Sequence, residues 1–75
     1  MDWASVAAAF DHEAAALGPR PAGAQLLFEA GRIYEERLDD PASALAFHRR
    51  ALSLDPGFLP NLRACRRLAM DMGDD

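Results

Sequence analysis

With 75 residues, the chain forms one small domain at most, and its net charge of −4 argues against nonspecific binding to nucleic acid or to anionic membranes. One cysteine excludes an internal disulfide, and the histidines and the thiol show no zinc-ligand spacing, so we expect no metal, no cofactor and a cytoplasmic location. Sixteen alanines and almost no β-branched residues predict a helical chain. No apolar run approaches the ~20 residues of a membrane span.

The first predicted helix covers about residues 2–17. Asp2 is its expected N-cap, because an aspartate side chain can accept a hydrogen bond from a free amide of the first turn. A glycine and two prolines in residues 18–21 end the helix, since proline lacks an amide hydrogen and restricts its predecessor. Steps of three and four residues predict one apolar stripe, which consists of Trp3, Ala7, Phe10, Ala14 and Leu17.

The second predicted helix covers about residues 22–38, and the third covers residues 41–54. Asp40 is the expected N-cap of the third helix, with Pro41 in its first turn. The apolar face of the second helix consists of Leu26, Leu27, Ala30, Ile33, Tyr34 and Leu38. The buried positions expected on the third helix are Ala44, Leu45, Phe47 or His48, Ala51 and Leu52.

The fourth predicted helix covers about residues 58–72, with Pro60 in its first turn and Gly73 as its C-terminal cap. Its apolar face consists of Leu59, Leu62, Cys65, Ala69 and Met72. Short connections between consecutive helices favour antiparallel neighbours. The sequence therefore predicts an all-α fold of four helices in a single domain, residues 1–75.

The chain also resembles itself at two offsets. A shift of 37 residues places Ala7, Ala9, Phe10, Ala14, Leu17 and Pro19 on Ala44, Ala46, Phe47, Ala51, Leu54 and Pro56. A shift of 34 residues places Gly23, Ala30, Arg32 and Asp40 on Gly57, Ala64, Arg66 and Asp74. Periods in the thirties are typical of stacked supersecondary units, which predicts a run of αα-hairpins.

Two sets of residues carry a resemblance to a known family. On the second helix these are Leu27, Ala30, Gly31 and Tyr34, and on the third they are Ala44, Phe47 or His48, Ala51 and the following Pro56. This pattern resembles the tetratricopeptide repeat. The resemblance implies antiparallel αα-hairpins stacked as a short right-handed solenoid. The small residues Gly31 and Ala44 would allow the two helices of one repeat to cross closely.

The resemblance divides the chain unevenly. Residues 24–57 make one complete repeat, residues 2–19 are similar to the second helix of an earlier repeat, and residues 58–73 are similar to the first helix of a later one. Three features depart from the pattern: His48 at an aromatic position, Cys65 and Ala69 in the fourth helix, and one extra residue near Asp39. Half-a-TPR and Sel1-like solenoids remain possible relatives.

In such a solenoid the first helices of the repeats line a concave groove. Arg63 and Arg67 lie at i and i+4, and Arg32 on the second helix is expected to project into the same groove, with Glu35 and Glu36 at its rim and Met70 facing it. Basic pairs of this kind can hold a peptide carboxylate, because guanidinium binds carboxylate in a bidentate manner. The alternative is a solvated basic face that Glu35, Glu36 and Asp39 neutralise.

The leading functional hypothesis is a non-enzymatic protein–protein interaction module whose groove binds a peptide or a partner helix. The alternative is a structural piece that self-associates as a homo-oligomer, or belongs to a longer array, through the apolar end-face residues Trp3, Phe10, Leu59 and Met72. A DNA-binding domain that uses Arg63, Arg66 and Arg67 is disfavoured by the net charge.

We predict no catalytic residues. Asp11, His12 and Glu13 are consecutive on a helix and therefore point apart, so they form a solvated face rather than an acid–base site. Cys65 lies on an apolar stripe, where a buried and inert thiol is the norm. His48 is expected to be a semi-buried packing residue.

Overall fold

The computed structural model describes residues 2–73; Met1, Asp74 and Asp75 lie outside the described residues, and so does the proposed match of Asp74 to Asp40. Four helices account for most of this range: α1 (Trp3–Leu17), α2 (Ala22–Glu36), α3 (Pro41–Leu54) and α4 (Leu59–Asp71). Residues 2–73 contain no strand. The prediction of an all-α chain with four helices is confirmed.

Two aspartates begin helices in the same way. The Asp2 carboxylate accepts a hydrogen bond from the Ser5 amide at 3.2 Å, and the Asp40 carboxylate accepts one from the Ser43 amide at 3.1 Å. The serine hydrogen bonds stabilise the ionised carboxylates and lower both aspartate pKa values. Both predicted N-caps are therefore present at the first turns of α1 and α3.

The end of α2 differs from the prediction, because the helix stops at Glu36 and not at Leu38. The Leu38 amide donates to the Ile33 carbonyl at 3.1 Å, and the Asp40 amide donates to the Tyr34 carbonyl at 2.9 Å. Asp39 between them has a φ of 50°, in the left-handed region. This wide turn ends α2 early and leaves Asp40 free to cap α3.

The helices pack mainly on their neighbours in sequence. α2 lies against both α1 and α3, while α4 lies against α3. The molecule measures 34 × 32 × 14 Å between Cα atoms. α2 and α3 therefore form the central pair, flanked by α1 and α4.

Small residues dominate the core between these helices. One buried cluster consists of Ala14, Ala24, Leu27 and Ala51, a second of Ala7, Ala30 and Ile33, and a third of Ala44, Leu45 and Leu68. Larger side chains at the edges of these clusters are only partly buried, among them Trp3, Phe10, Tyr34 and Phe47. Alanine at the seams lets the helices approach closely but contributes little apolar area.

The core-facing side of α4 is not the predicted one. Its buried residues are Asn61, Ala64 and Leu68. In the predicted apolar stripe, Leu62, Cys65 and Ala69 are half-buried, and Leu59 and Met72 are 54% and 43% exposed. Because α3 offers the cluster of Ala44 and Leu45, the α4 side with Leu68 packs there, with Cys65 at its edge, and the ends of the stripe at Leu59 and Met72 are left exposed.

Candidate functional site

The surface that α2 and α4 share contains one bidentate ion pair. Nη1 and Nη2 of Arg67 donate to the two carboxylate oxygens of Glu35, with 3.0 Å between Nη2 and Oε1. The Glu35 side chain is 20% exposed, and the Arg67 hydrogen bonds lower its pKa. The same hydrogen bonds raise the pKa of Arg67. This ion pair links the Arg67 side of α4 to α2. An acidic residue of α2 that neutralises an arginine of α4 is what the alternative interpretation, a solvated and neutralised basic face, predicted.

Arg32 does not join Arg67. Its guanidinium lies 3.3 Å from Glu36 and 3.5 Å from Glu29, both on α2, and the hydrogen bond to Glu36 raises its pKa. Arg32 and Glu36 line a groove of about 300 Å³ between α1 and α2, together with Trp3 and Phe10. The expectation that Arg32 shares a basic site with Arg63 and Arg67 is therefore not supported, because its own helix satisfies its charge.

The remaining predicted groove residues lie on α4. Arg63 stands one turn before Arg67, and among residues 2–73 no ion-pair partner lies within 4.0 Å of it. Met70, three residues after Arg67, is 79% exposed. Arg63, Arg67 and Met70 therefore form a row beside the Glu35 pair, which we call the α4 basic row.

Behind this surface lies a polar pair that the sequence did not indicate. His48 and Asn61 are both fully buried, and their four side-chain nitrogen and oxygen atoms have no hydrogen-bond partner within residues 2–73. Asn61 favours the protonated imidazole, but the two side chains do not reach hydrogen-bonding geometry. Burial is the larger effect and lowers the His48 pKa. The semi-buried histidine expected from the sequence is completely enclosed.

A glycine makes room for the buried imidazole. A Cβ at position 31 would lie 2.7 Å from Cε1 of His48, closer than packed atoms approach. The Phe28 ring covers the imidazole at a centroid distance of 5.1 Å, and the Phe58 ring meets Phe28 edge-on at 5.5 Å. One imidazole thus connects α2, α3 and α4.

The predicted end-face residues lie on the two flanking helices. On α1, Trp3 and Phe10 are half-buried, and the Arg37 guanidinium covers the Trp3 ring at 4.7 Å. Phe10 borders three grooves of about 300 to 390 Å³, of which the largest lies along the outer side of α1. On α4, Leu59 and Met72 are exposed.

The polar residues of α1 do not converge on a reactive centre. Asp11 is bound by Arg50 of α3, with 2.8 Å between Oδ1 and Nη2, while His12 and Glu13 are exposed. Burial raises the pKa of the Cys65 thiol, which disfavours the thiolate. Across the described part of the chain, no three histidine, cysteine or acidic side chains are grouped to hold a metal ion. Residues 2–73 also contain no helix with the length and apolarity needed to cross a bilayer.

No protein-family model, curated protein or solved structure matches this chain. The functional argument therefore depends on the residues and their packing.

Proposed function

We propose that the chain is a non-enzymatic protein-interaction module, built as a short right-handed solenoid of the tetratricopeptide type. The order of packing supports this proposal, because α2 lies between α1 and α3, and α4 follows on α3. The thickness of 14 Å is that of two helix layers, since packed helix axes lie about 8–10 Å apart and Cα atoms lie about 2.3 Å from each axis. The Glu35–Arg67 and Arg50–Asp11 pairs link α2 to α4 and α3 to α1 as members of the same layers.

The crossing of α2 and α3 also supports the solenoid. Gly31 contacts the His48 ring, and Ala44 is completely buried. A larger side chain at either position would separate the two helices. These are the positions at which the repeat pattern places small residues.

The α4 basic row is the observation on which the proposed binding function depends. Arg67 is neutralised by Glu35, but Arg63 has a guanidinium without an ion-pair partner among residues 2–73, and Met70 adds an exposed apolar side chain. A guanidinium beside a thioether suits a short acidic peptide that presents a carboxylate and an apolar side chain. The proposed partner is therefore an acidic peptide or helix bound along the α2–α4 surface, with Glu35 and Glu36 at its rim.

A displayed library of random peptides tests this function. We expect the selected peptides to be rich in carboxylates and to bind more weakly as the salt concentration rises. Arg63→Glu should weaken their binding about tenfold, a change of 1.4 kcal/mol. Arg20→Glu is the matched control, because Arg20 is exposed in the turn between α1 and α2 and the charge change is the same. Peptides that bind the Arg63→Glu variant as well as the parent chain would disprove the site.

A second function, self-association through the end faces, is favoured by a different observation. Leu59, Met70 and Met72 at α4 are exposed apolar side chains, and Phe10 on α1 borders three open grooves. Exposed apolar surfaces of this kind mark interaction sites. The mass of the chain in solution as a function of concentration separates this function from peptide binding, since only self-association makes the mass rise.

A further inference from the structure

One side of α4 carries a regular series of exposed residues, which we call the α4 seam. It consists of Leu59, Arg63, Arg66 and Met70. The steps between them are four, three and four residues, the spacing that keeps side chains in one line along a helix. The opposite side of α4 holds its buried residues, Asn61, Ala64 and Leu68. The α4 seam therefore faces directly away from the core.

The charges in the middle of the α4 seam are unpaired. Among residues 2–73, no ion-pair partner lies within 4.0 Å of Arg63 or Arg66. Leu59 and Met70 are 54% and 79% exposed and place an apolar side chain at each end of the seam. The whole chain carries a net charge of −4, so these two arginines form a local positive patch on an acidic molecule. Such a surface is complementary to a partner with acidic residues between two apolar ones.

The equivalent positions of α2 do not share this pattern. The offset of 34 residues places the α4 seam on Gln25, Glu29, Arg32 and Glu36. There the Arg32 guanidinium lies 3.5 Å from Glu29 and 3.3 Å from Glu36, so the charges are satisfied within α2. None of the four α2 side chains is apolar. Unpaired arginines flanked by apolar residues therefore distinguish α4 from its counterpart.

The backbone of α4 indicates the conformation of the partner. Between Arg63 and Arg66, the amides and carbonyls form the hydrogen bonds of the helix itself, so the seam offers side chains only. An extended peptide would find no backbone partner there, whereas a helix satisfies its own backbone groups. Steps of four and three residues are also the spacing at which two helices interlock at a small crossing angle. The α4 seam therefore suits a helix.

We propose that the α4 seam binds an amphipathic acidic helix of another protein. This proposal rests on the proposed peptide-binding function and names the conformation and the residue pattern of the partner. The partner presents an apolar residue, two acidic residues and a second apolar residue at steps of four, three and four. Its acidic residues pair with Arg63 and Arg66, and its apolar residues pack on Leu59 and Met70. The contact is about 16 Å long, since a helix rises about 1.5 Å per residue.

A designed helical peptide tests the pattern. The peptide has an alanine and glutamine background and about 20 residues, above the length at which isolated helices are marginal in water. It carries leucine, glutamate, glutamate and leucine at steps of four, three and four, an order that reads the same in both directions. Fluorescence anisotropy of the labelled peptide should show saturable binding to the protein. A control peptide in which leucines and glutamates exchange places should bind about tenfold or more weakly.

A second control peptide tests the conformation. Proline between the two glutamates breaks the helix and leaves the charges and the leucines in place. This peptide should also bind about tenfold or more weakly than the designed helix. An extended partner would tolerate the proline, so equal binding would contradict the helical conformation.

Variants of the protein locate the contact. Arg66→Glu should weaken the binding of the designed helix about tenfold, and Met70→Ala should weaken it about fivefold. Arg20→Glu makes the same charge change in the turn between α1 and α2, and Met72→Ala shortens a side chain that lies outside the seam. Both of these controls should bind the designed helix like the parent chain.

A charge exchange separates a lost contact from a lost fold. The double variant Arg63→Glu and Arg66→Glu should lose the designed helix and should instead bind a helix in which lysines replace both glutamates. Unfolded protein could not produce this exchange of preference. A double variant that binds neither helix, although circular dichroism shows its helices intact, would contradict the pairing.

The outcomes separate the inference from the function on which it rests. A designed helix that does not bind, or that binds no better than its two controls, overturns the helical partner. Selected acidic peptides that still depend on Arg63 would then leave the proposed function standing. Loss of that dependence overturns both. A mass of the protein alone that rises with concentration, and that Arg66→Glu returns to 8.2 kDa, would show a second copy on the seam and would overturn the acidic partner.

Discussion

The two flanking helices are attached to the central pair in different ways. α1 is held by apolar contacts of Ala7 and Ala14 with the alanines, Leu27 and Ile33 of α2. α4 is held by Leu68 and by the Glu35–Arg67 ion pair, and its Asn61 covers the buried imidazole of His48 without a hydrogen bond. Apolar contacts respond little to pH or salt, whereas a buried imidazole and an ion pair respond to both. The attachment of α4 is therefore the one that solution conditions can change.

Truncation of either of two leucines, each 2% exposed, should have the largest effect on stability. Leu27 lies in the cluster that attaches α1, and Leu68 lies in the cluster that attaches α4. Leu27→Ala and Leu68→Ala should each lower the free energy of unfolding by about 2–5 kcal/mol. Leu27 clusters with alanines of α1, α2 and α3, so its loss should weaken the whole molecule, while Leu68 clusters with Ala44 and Leu45 of α3. Hydrogen exchange should therefore show α4 opening first in Leu68→Ala, and uniform exchange across all helices would contradict the comparison.

Gly31→Ala should be the next largest change. A new Cβ 2.7 Å from the His48 ring cannot be accommodated, since that ring is fully buried, so we expect a loss of about 1–3 kcal/mol despite the better helix propensity of alanine. Gly57→Ala is the control, because the nearest atom to its Cβ lies 3.6 Å away. Urea denaturation measures both variants, and an unchanged Gly31→Ala would show that the imidazole can move.

The pH dependence of stability should identify the buried histidine. The folded His48 pKa lies below its ordinary value of 6.5, so the unfolded chain binds the proton more readily. The contribution of His48 to the free energy of unfolding should therefore be constant well above pH 6.5 and should fall as the pH drops below 6.5. The negative charge of Glu35 raises the His48 pKa and so reduces the pH dependence, whereas the positive charge of Arg67 lowers this pKa and so increases the pH dependence.

Two histidine variants provide the control for this pH effect. His48→Leu should remove the pH dependence between 6.5 and the acidic range in which carboxylates titrate, whatever its effect on overall stability. His12→Gln should retain the pH dependence, since His12 is exposed. A pH profile that follows His12 rather than His48 would contradict the assignment.

The smallest expected effect belongs to the ion pair. Arg67→Ala should cost about 0.2–1 kcal/mol at low salt, with a smaller loss at high salt, because both partners are in contact with solvent. Arg32→Ala removes a comparable pair within α2 and should leave the attachment of α4 unchanged. Double-mutant cycles with Glu35→Gln measure the coupling directly.

Local signals in the sequence were sufficient to predict the helices. Asp2 and Asp40 mark two helix starts, and the glycine and prolines of residues 18–21 mark one end, because capping and proline geometry act within one turn. The end of α2 was wrong by two residues, because the wide turn at Asp39 depends on a left-handed conformation that aspartate rarely adopts.

The sequence did not indicate which face of α4 is buried. Periodicity favoured the stripe with Leu62 and Cys65, but the buried face contains Asn61, whose polarity argues against burial. The choice depends on the surface of α3, which is not local information. The sequence likewise did not indicate the ion-pair partners in the candidate site. Glu36 neutralises Arg32 within α2, and Glu35 of α2 neutralises Arg67 of α4.

The half-buried thiol of Cys65 has a practical consequence. Only the thiolate reacts with alkylating reagents, and burial raises the pKa of this thiol, so alkylation at neutral pH should be slow. Any molecule that covers the surface of α4 around Cys65 would slow the alkylation further. The rate constant of alkylation, followed in the unmodified protein as its concentration rises, therefore reports directly on the occupancy of that surface.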